Sequence, residues 1–200
     1  MKHFLCSAVA LSFLASGAMA QDKTLTISVY SFGKDAMDEA VFSPFEEVCG
    51  CDVVIETGRS VERMAKIEAN AADPVIDVAV MAAQDALSLS RQDLLAPMDF
   101  AKIPSHRDLY ASAQDPLGNQ TALGYGFYAT SIVYRSDLIE IDSWADLLSD
   151  DLKGRVALPN ITGTQGPLTL EMMSKALGHK GADYAATIDT IGAQADDIVT

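Results

Sequence analysis

Beyond residue 23 the hydrophobic positions switch repeatedly between two periods. TLTISVY (24–30) alternates β-branched or apolar residues with small polar ones and stops at Ser31-Phe32-Gly33, which predicts a strand and a turn. From Asp35 to Val48, Met37, Ala40, Val41, Phe45 and Val48 fall at helical spacing, with Pro44 predicting a kink or break. CDVVIE (51–56) is a short apolar strand pattern. In TGRSVERMAKIEANAA (57–72), Ser60 reads as a helix cap, with Val61, Met64, Ala65 and Ile67 as the apolar positions. PVIDVAVMA (74–82) is nearly continuous in apolar residues, as expected of a strand covered on both faces.

This β-α-β-α-β order predicts an α/β fold with a mostly parallel sheet, because parallel strands need crossover connections and helices usually supply them. Ligands of such sheets sit beyond the carboxyl ends of the strands. Three loops are therefore candidates for binding: Tyr30–Lys34, Thr57–Ser60 and Met81–Gln84. Each also reads as a plain strand-to-helix turn.

The pattern loosens over 94–120, with three prolines and turn chemistry at Asp115-Pro116 and Gly118-Asn119. TALGYGFYATSIVYR (121–135) then returns to β-branched and aromatic residues interleaved with Gly124 and Gly126, which predicts a pair of extended segments crossing into a second lobe. Ser143 opens a short helix, Gly154 marks a turn, and RVALP (155–159) predicts a strand. GPLTLEMMSKALG (166–178) is a helix with Pro167 near its start and Gly178 just past its end, the asymmetry expected of helix termini. Asn160, Thr162, Gly163, Thr164, Gln165 and Gly166 thus occupy a strand-to-helix loop. Free N–H groups at a helix start, with hydroxyl and amide side chains, suit an oxygen-rich or anionic group; a capped helix after a glycine-containing loop gives the same local pattern.

The chain's beginning changes where this fold is expected to work. Lys2 and His3, an apolar run from Phe4 to Leu14, and Ala18-Met19-Ala20 read as a secretory leader over residues 1–20, cleaved before Gln21. The run is shorter than the roughly 20 residues a membrane span requires. A periplasmic location follows from that leader.

Composition and charge then exclude partners more than they select one. The 49% hydrophobic and 21% charged fractions are those of a globular chain with a core. A net charge of −14 excludes nucleic acid and anionic membrane surfaces, which need Lys/Arg clusters. Cys49 and Cys51 are the cysteines outside the leader. An oxidising compartment makes a bond between them possible, though it would close a very tight ring, and two thiols alone make half a metal site; the preferred reading is two small residues at a helix-to-strand turn, with the bond left open. Gly-x-Ser-x-Gly, His-Glu-x-x-His and P-loop patterns are missing, and His106 and His179 have no readable partner, so no catalytic residue is assigned and a secreted hydrolase is the weaker reading.

The ordered set LTISVYSFGKDAMDEAVFSPFEEVCGCDVVIETG, PVIDVAVM, LGYGFYATSIVYRSDL and SWADLLSDDLKGRVALPNITGTQGP resembles the periplasmic solute-binding proteins of bacterial ABC importers. It is similar in particular to the branch that carries polyamines, ferric iron, thiamine or organophosphonates. The Trp-x-x-Leu helix, the Lys-Gly turn and the strand ending at Pro159 are its most specific part. The resemblance implies a periplasmic-binding-protein-like fold of two α/β lobes with a hinge: 21–122, a crossover over 123–135, and 136–200 as a second lobe. Members are longer, so the second lobe is expected to be truncated here.

The resemblance further implies a monomer, without cofactor or metal, that grips a small-molecule solute between its lobes and delivers it to an inner-membrane permease. A ligand sensor for a membrane receptor would use the same cleft. Ligand contacts are expected from Tyr30, Ser31, Phe32, Arg59, Ser60, Ala83 and Gln84 in the first lobe, Tyr125 and Tyr128 in the crossover, and Thr162, Gly163, Thr164 and Gln165 in the second. Arg59, hydroxyls and amides suit an anion or polyhydroxyl, whereas a polyamine would draw on Glu62 and Asp85. The balance leans toward an anionic or zwitterionic solute.

Overall fold

The computed structural model describes residues 23–179, 184–193 and 197–199; the leader lies outside the described residues. β1 (Thr24–Val29) is central, with β2 (Asp52–Thr57) and β3 (Val78–Ala79) parallel on its two sides. The register sets Thr24 opposite Asp52 and Val29 opposite Thr57, so both strands end at one level. Ile27, Val29 and Phe42 form the buried centre, packed by Leu25, Met37, Val53, Ile55 and Val80. Burying a side chain of that size contributes about 1.5–3 kcal/mol.

β3 departs from the continuous strand that its apolar run predicts. Its ladder is two residues long, and Val75 and Val78 are exposed, so one face of this edge is uncovered. Pro74 has no N–H to give, and Asp77 doubles as a side-chain partner: its Oδ2 accepts the Thr26 N–H at 2.8 Å while its own N–H donates to the Thr26 carbonyl at 2.9 Å. Pairing resumes where the Val80 N–H donates to the Ser28 carbonyl.

The helix after β1 is broken, as Pro44 predicts. α1 (Lys34–Met37) runs into a π-helical turn, Asp38–Phe42, before α2 (Ser43–Cys49). Pro44 cannot donate to the carbonyl four residues back and its ring crowds that carbonyl, which favours the wider turn ahead of it. At the end of α2, Gly50 takes φ +59° and folds the chain back so that Cys49 and Cys51 are disulfide-bonded, their Cα atoms 5.2 Å apart. Of the readings left open by the sequence, the bonded one holds rather than the preferred pair of small turn residues: the left-handed glycine brings the Cβ atoms together.

α3 (Ser60–Ala69) shows the largest departure from pattern. Arg59, not Ser60, takes the N-cap position, and the Glu62 carboxylate accepts both the Arg59 backbone N–H (3.1 Å) and its Nε–H (3.0 Å). The buried residues are Ser60 and Arg63, whereas Val61 is exposed. The helix is rotated so that its inner stripe runs 60, 63, 64 and 67, at i, i+3, i+4 and i+7.

After β3 comes α4 (Ala83–Ser90), whose Ala86 and Leu89 are buried. Short 3₁₀ turns over 100–102 and 104–108 lead to α5 (Ala111–Gln114). His106 stacks on Phe100 with ring centroids 4.8 Å apart, a structural role. Residues 123–135, expected to be paired extended segments, form no strand ladder among the described residues. Their anchorage is local: the Gly124 N–H donates to the Ala113 carbonyl at 2.7 Å, while Tyr125, Phe127 and Val133 lie exposed. β-branched and aromatic content favours strands only where a neighbouring strand supplies partners.

Ser143 caps a 3₁₀ turn, Trp144–Leu148, with Asp146 accepting the Ser143 N–H at 2.8 Å. β4 (Ala157–Pro159) pairs in parallel with β5 (Asp197–Val199). Between them lie α6 (Gly166–Ala176) and α7 (Tyr184–Gly192), joined where the Tyr184 hydroxyl donates to Glu171 at 2.7 Å. His179 Nδ1 lies 2.6 Å from the Thr187 hydroxyl, again in packing. Among the described residues no helix is long and apolar enough to cross a membrane.

Candidate functional site

The common level at which β1, β2 and β3 end is where the chemistry collects. Arg63 reaches under it from α3. Its Nε–H donates to the Ser28 hydroxyl at 2.8 Å, and Nη2 donates to the Ser28 carbonyl at 2.9 Å and to the Val80 carbonyl. One guanidinium thus ties the ends of β1 and β3 together. The Tyr30 ring lies over it, 4.8 Å from centroid to Cζ, a cation–π distance. Asp85, on the first turn of α4, belongs to the same cluster.

Burial works against both charges. It lowers the Arg63 guanidinium from its ordinary value, opposed by Tyr30, Asp85 and Tyr125. It raises the Asp85 carboxyl, opposed by Ser60 and by the Arg63 charge. Among the described residues, Arg63 Nη1 and Asp85 Oδ2 are buried without a hydrogen-bond partner.

The loop before α6 comes up against this level from the second lobe. The Thr164 hydroxyl lies 3.3 Å from the Ser60 hydroxyl, and the Thr164 carbonyl accepts from Gln84 Nε2 at 3.3 Å. Gln84 Oε1 accepts in turn from the Tyr128 hydroxyl at 3.0 Å. Gln165 Oε1 accepts from Thr130, fastening the loop to the crossover. The loop can turn so tightly because residue 166 is glycine: a Cβ there would stand 2.4 Å from the Asn160 carbonyl oxygen and 2.6 Å from the Ile161 Cα.

Of the residues singled out in sequence, Ser60, Gln84, Tyr128, Thr164 and Gln165 form this hydrogen-bonded junction, and Tyr30 stacks beside it on Arg63. Tyr125 is exposed, and it adds to the influence of Tyr30 and Asp85 on the Arg63 guanidinium. Ser31, Phe32 and Ala83 are exposed, Phe32 at 94%. Arg59 is exposed and paired with Glu62. Thr162 spends both its N–H and its hydroxyl on Asn160 Oδ1, at 2.9 and 2.8 Å, and Gly163 lies exposed beside it. Sequence reasoning missed Arg63, which a helical wheel registered on Ser60 rather than Val61 would have placed on the inner face.

Two hollows lie away from the junction. One of about 500 Å³ sits behind the first lobe, between Ile67, Pro74, Ile76 and Leu94–Pro97. The other, about 1,100 Å³, opens in the second lobe between the crossover, Trp144, Leu152 and β4, and touches the junction only at Thr130 and Gln165.

Known proteins bear on this arrangement. Residues 40–199 match the family model described as bacterial extracellular solute-binding protein. No curated protein sequence matches the chain. Among solved structures, an ABC transporter protein from Clostridium perfringens is 24% identical over 88% of this chain and 57% of its own, with a TM-score of 0.63. The periplasmic binding protein AfuA from Actinobacillus pleuropneumoniae, solved with fructose-6-phosphate, is 18% identical over 88% of this chain and 57% of its own, TM-score 0.63. AgtB from Agrobacterium tumefaciens R10, solved with agropinic acid, is 19% identical over 88% and 56%, TM-score 0.56. This chain therefore spans less than two thirds of the length of those structures, and their likeness gives it an α/β, periplasmic-binding-protein-like fold. By the family match over residues 40–199, the chain belongs to the bacterial extracellular solute-binding proteins.

Proposed function

We propose that the chain binds a small solute where its two lobes meet and delivers it to an ABC importer permease in the inner membrane, with no chemistry on the solute. The observation that carries this reading is the meeting of Ser60 and Gln84 with Thr164: three helix-start or loop positions from two bodies converge beyond the strand ends. Residues 21–122 and 136–200 serve as the lobes and 123–135 as the crossover on which they hinge. Residues 1–20 act as the export leader and the carrier works as a monomer. The direct Ser60–Thr164 contact is the solute-free, closed arrangement, and solute shifts the balance of open and closed forms by its preference for one.

Within the family we favour an anionic or zwitterionic solute over a polyamine. The cation at the junction is Arg63, and the relatives AfuA and AgtB were solved with a sugar phosphate and an organic acid. Differential scanning of the chain against solute panels tests the reading. A true solute at 100 times its Kd adds about 2.7 kcal/mol, a rise in Tm of roughly 5–10 °C for a chain of this size. A response to no solute would sink it.

A further inference from the structure

Arg63 has more donors than its structural role uses. Nε and Nη2 hold Ser28 and Val80, which accounts for the joining of β1 to β3. Nη1 is left over, buried and without a partner, on a residue 5% exposed. Asp85 Oδ2 is left over in the same way. The two groups feel each other's charge yet do not close on each other through these atoms. A buried donor and a buried acceptor, both unmatched and on residues whose charges interact, are costly unless something else satisfies them.

Their position says what reaches them. Ser60 interacts with Asp85 and also lies 3.3 Å from the Thr164 hydroxyl; Gln84, the neighbour of Asp85, bonds the Thr164 carbonyl. Asp85 is therefore one residue removed from the contacts that join the lobes, through Ser60 in space and through Gln84 along the chain. The Tyr30 ring covers one face of the guanidinium.

We propose that Arg63 Nη1 anchors an oxyanion of the solute, a carboxylate or a phosphate ester, while Asp85 Oδ2 accepts from an ammonium or hydroxyl group beside that oxyanion. The proposal rests on the solute-binding reading above and names the chemical class of the solute. A planar guanidinium with a free edge suits an oxyanion, and the adjacent carboxylate rejects an oxyanion that brings no donor to it. A polyamine has no acceptor for Nη1, and a neutral sugar offers it only an uncharged hydroxyl, a weaker partner than an oxyanion.

Calorimetric titration and thermal scanning of the full chain test this with amino and hydroxy acids, their counterparts lacking the donor (glutamate against glutarate, for example), phosphate monoesters, spermidine and sucrose. Binding is expected from the oxyanion classes alone. Arg63→Gln should weaken it roughly 10- to 100-fold and Arg63→Lys less, since the charge survives without the fork. Asp85→Asn, which leaves the Ser28 and Val80 bonds in place, should bring the preference for the donor-bearing probe over its counterpart close to one. That ratio remains readable if the Arg63 variants fail to fold. Binding of spermidine or sucrose, weakened by Thr164→Ala, would overturn this proposal and leave solute binding standing. Oxyanion binding unchanged in folded Arg63 variants, or a ratio unmoved in Asp85→Asn, would likewise overturn it alone. Binding of no probe would overturn both.

Discussion

The hydroxyls of Ser60 and Thr164 lie 3.3 Å apart, although 104 positions separate them in the chain. Each stands at the start of a helix that follows a parallel strand, so the contact joins equivalent places on two α/β units. Thr164→Ala removes one hydroxyl and leaves the Gln84 bond to the main chain, so it should cost little fold stability, about 0.5–1.5 kcal/mol. Its larger effect falls on the closed arrangement. Small-angle scattering of the solute-free protein should show a greater radius of gyration in Thr164→Ala than in the parent. Ser60→Ala should do the same, and the double variant should add little, because both changes remove one contact.

Arg63 makes the opposite case, a residue whose loss the fold itself feels. Removing the guanidinium takes the Arg63 donors from the Ser28 hydroxyl and the Val80 carbonyl, and one of two donors from the Ser28 carbonyl, at the joint between β1 and β3. Arg63→Ala should therefore lower the unfolding free energy by about 3 kcal/mol, read from the denaturant midpoint. Arg59→Ala, one turn away, is the control. Its pair with Glu62 is exposed on both sides, and such pairs contribute about 0–1 kcal/mol.

These two arginines also show what was legible in the chain. Alternation of periods was enough for the β-α-β-α-β order, the break at Pro44 and the Pro167–Gly178 helix, because each depends on neighbours within one turn or one strand. It was also enough to bring Ser60, Gln84 and Thr164 into view, since strand ends are where loops converge. It failed where the outcome depends on distant partners. Arg63 looks like a solvent residue until Ser28 and Val80 are known to stand over it. The aromatic run at 123–135 looks like strand until its lack of a ladder is seen, and whether Cys49 and Cys51 bond stays open until Gly50 is found at positive φ. Arg59 and Thr162 carried suitable donors, but Glu62 and Asn160 engage them locally.

The tightness of the second-lobe loop is open to direct test through Gly166, with Gly126 of the crossover as the control. Gly166→Ala would drive a methyl group into the Asn160 carbonyl and the Ile161 backbone, neither of which is a flexible side-chain end. The loop must shift, at a cost of about 1–3 kcal/mol, and Thr164 moves with it. Gly126→Ala meets nothing within 4 Å and has no positive φ to strain. Thermal melts should separate the two variants by several degrees, with Gly126→Ala near the parent value.

Asp85 gives the stability a dependence on pH whose sign is fixed by burial. Burial raises its carboxyl in the folded state above the ordinary Asp value, despite the opposing pull of Ser60 and Arg63. Between the ordinary value and the raised one, the folded chain holds a proton that the unfolded chain has lost. Stability then falls as pH rises across that window, because ionising a carboxylate with a buried, unmatched oxygen is costly. Asp85→Asn removes the titration while keeping the shape. Denaturant titrations of parent and variant at a series of pH values should agree best at the acid end, with the parent losing stability relative to the variant as pH rises and the difference levelling once Asp85 is fully ionised. A difference that instead favoured the parent with rising pH would mean that the Arg63 charge outweighs desolvation at this carboxylate.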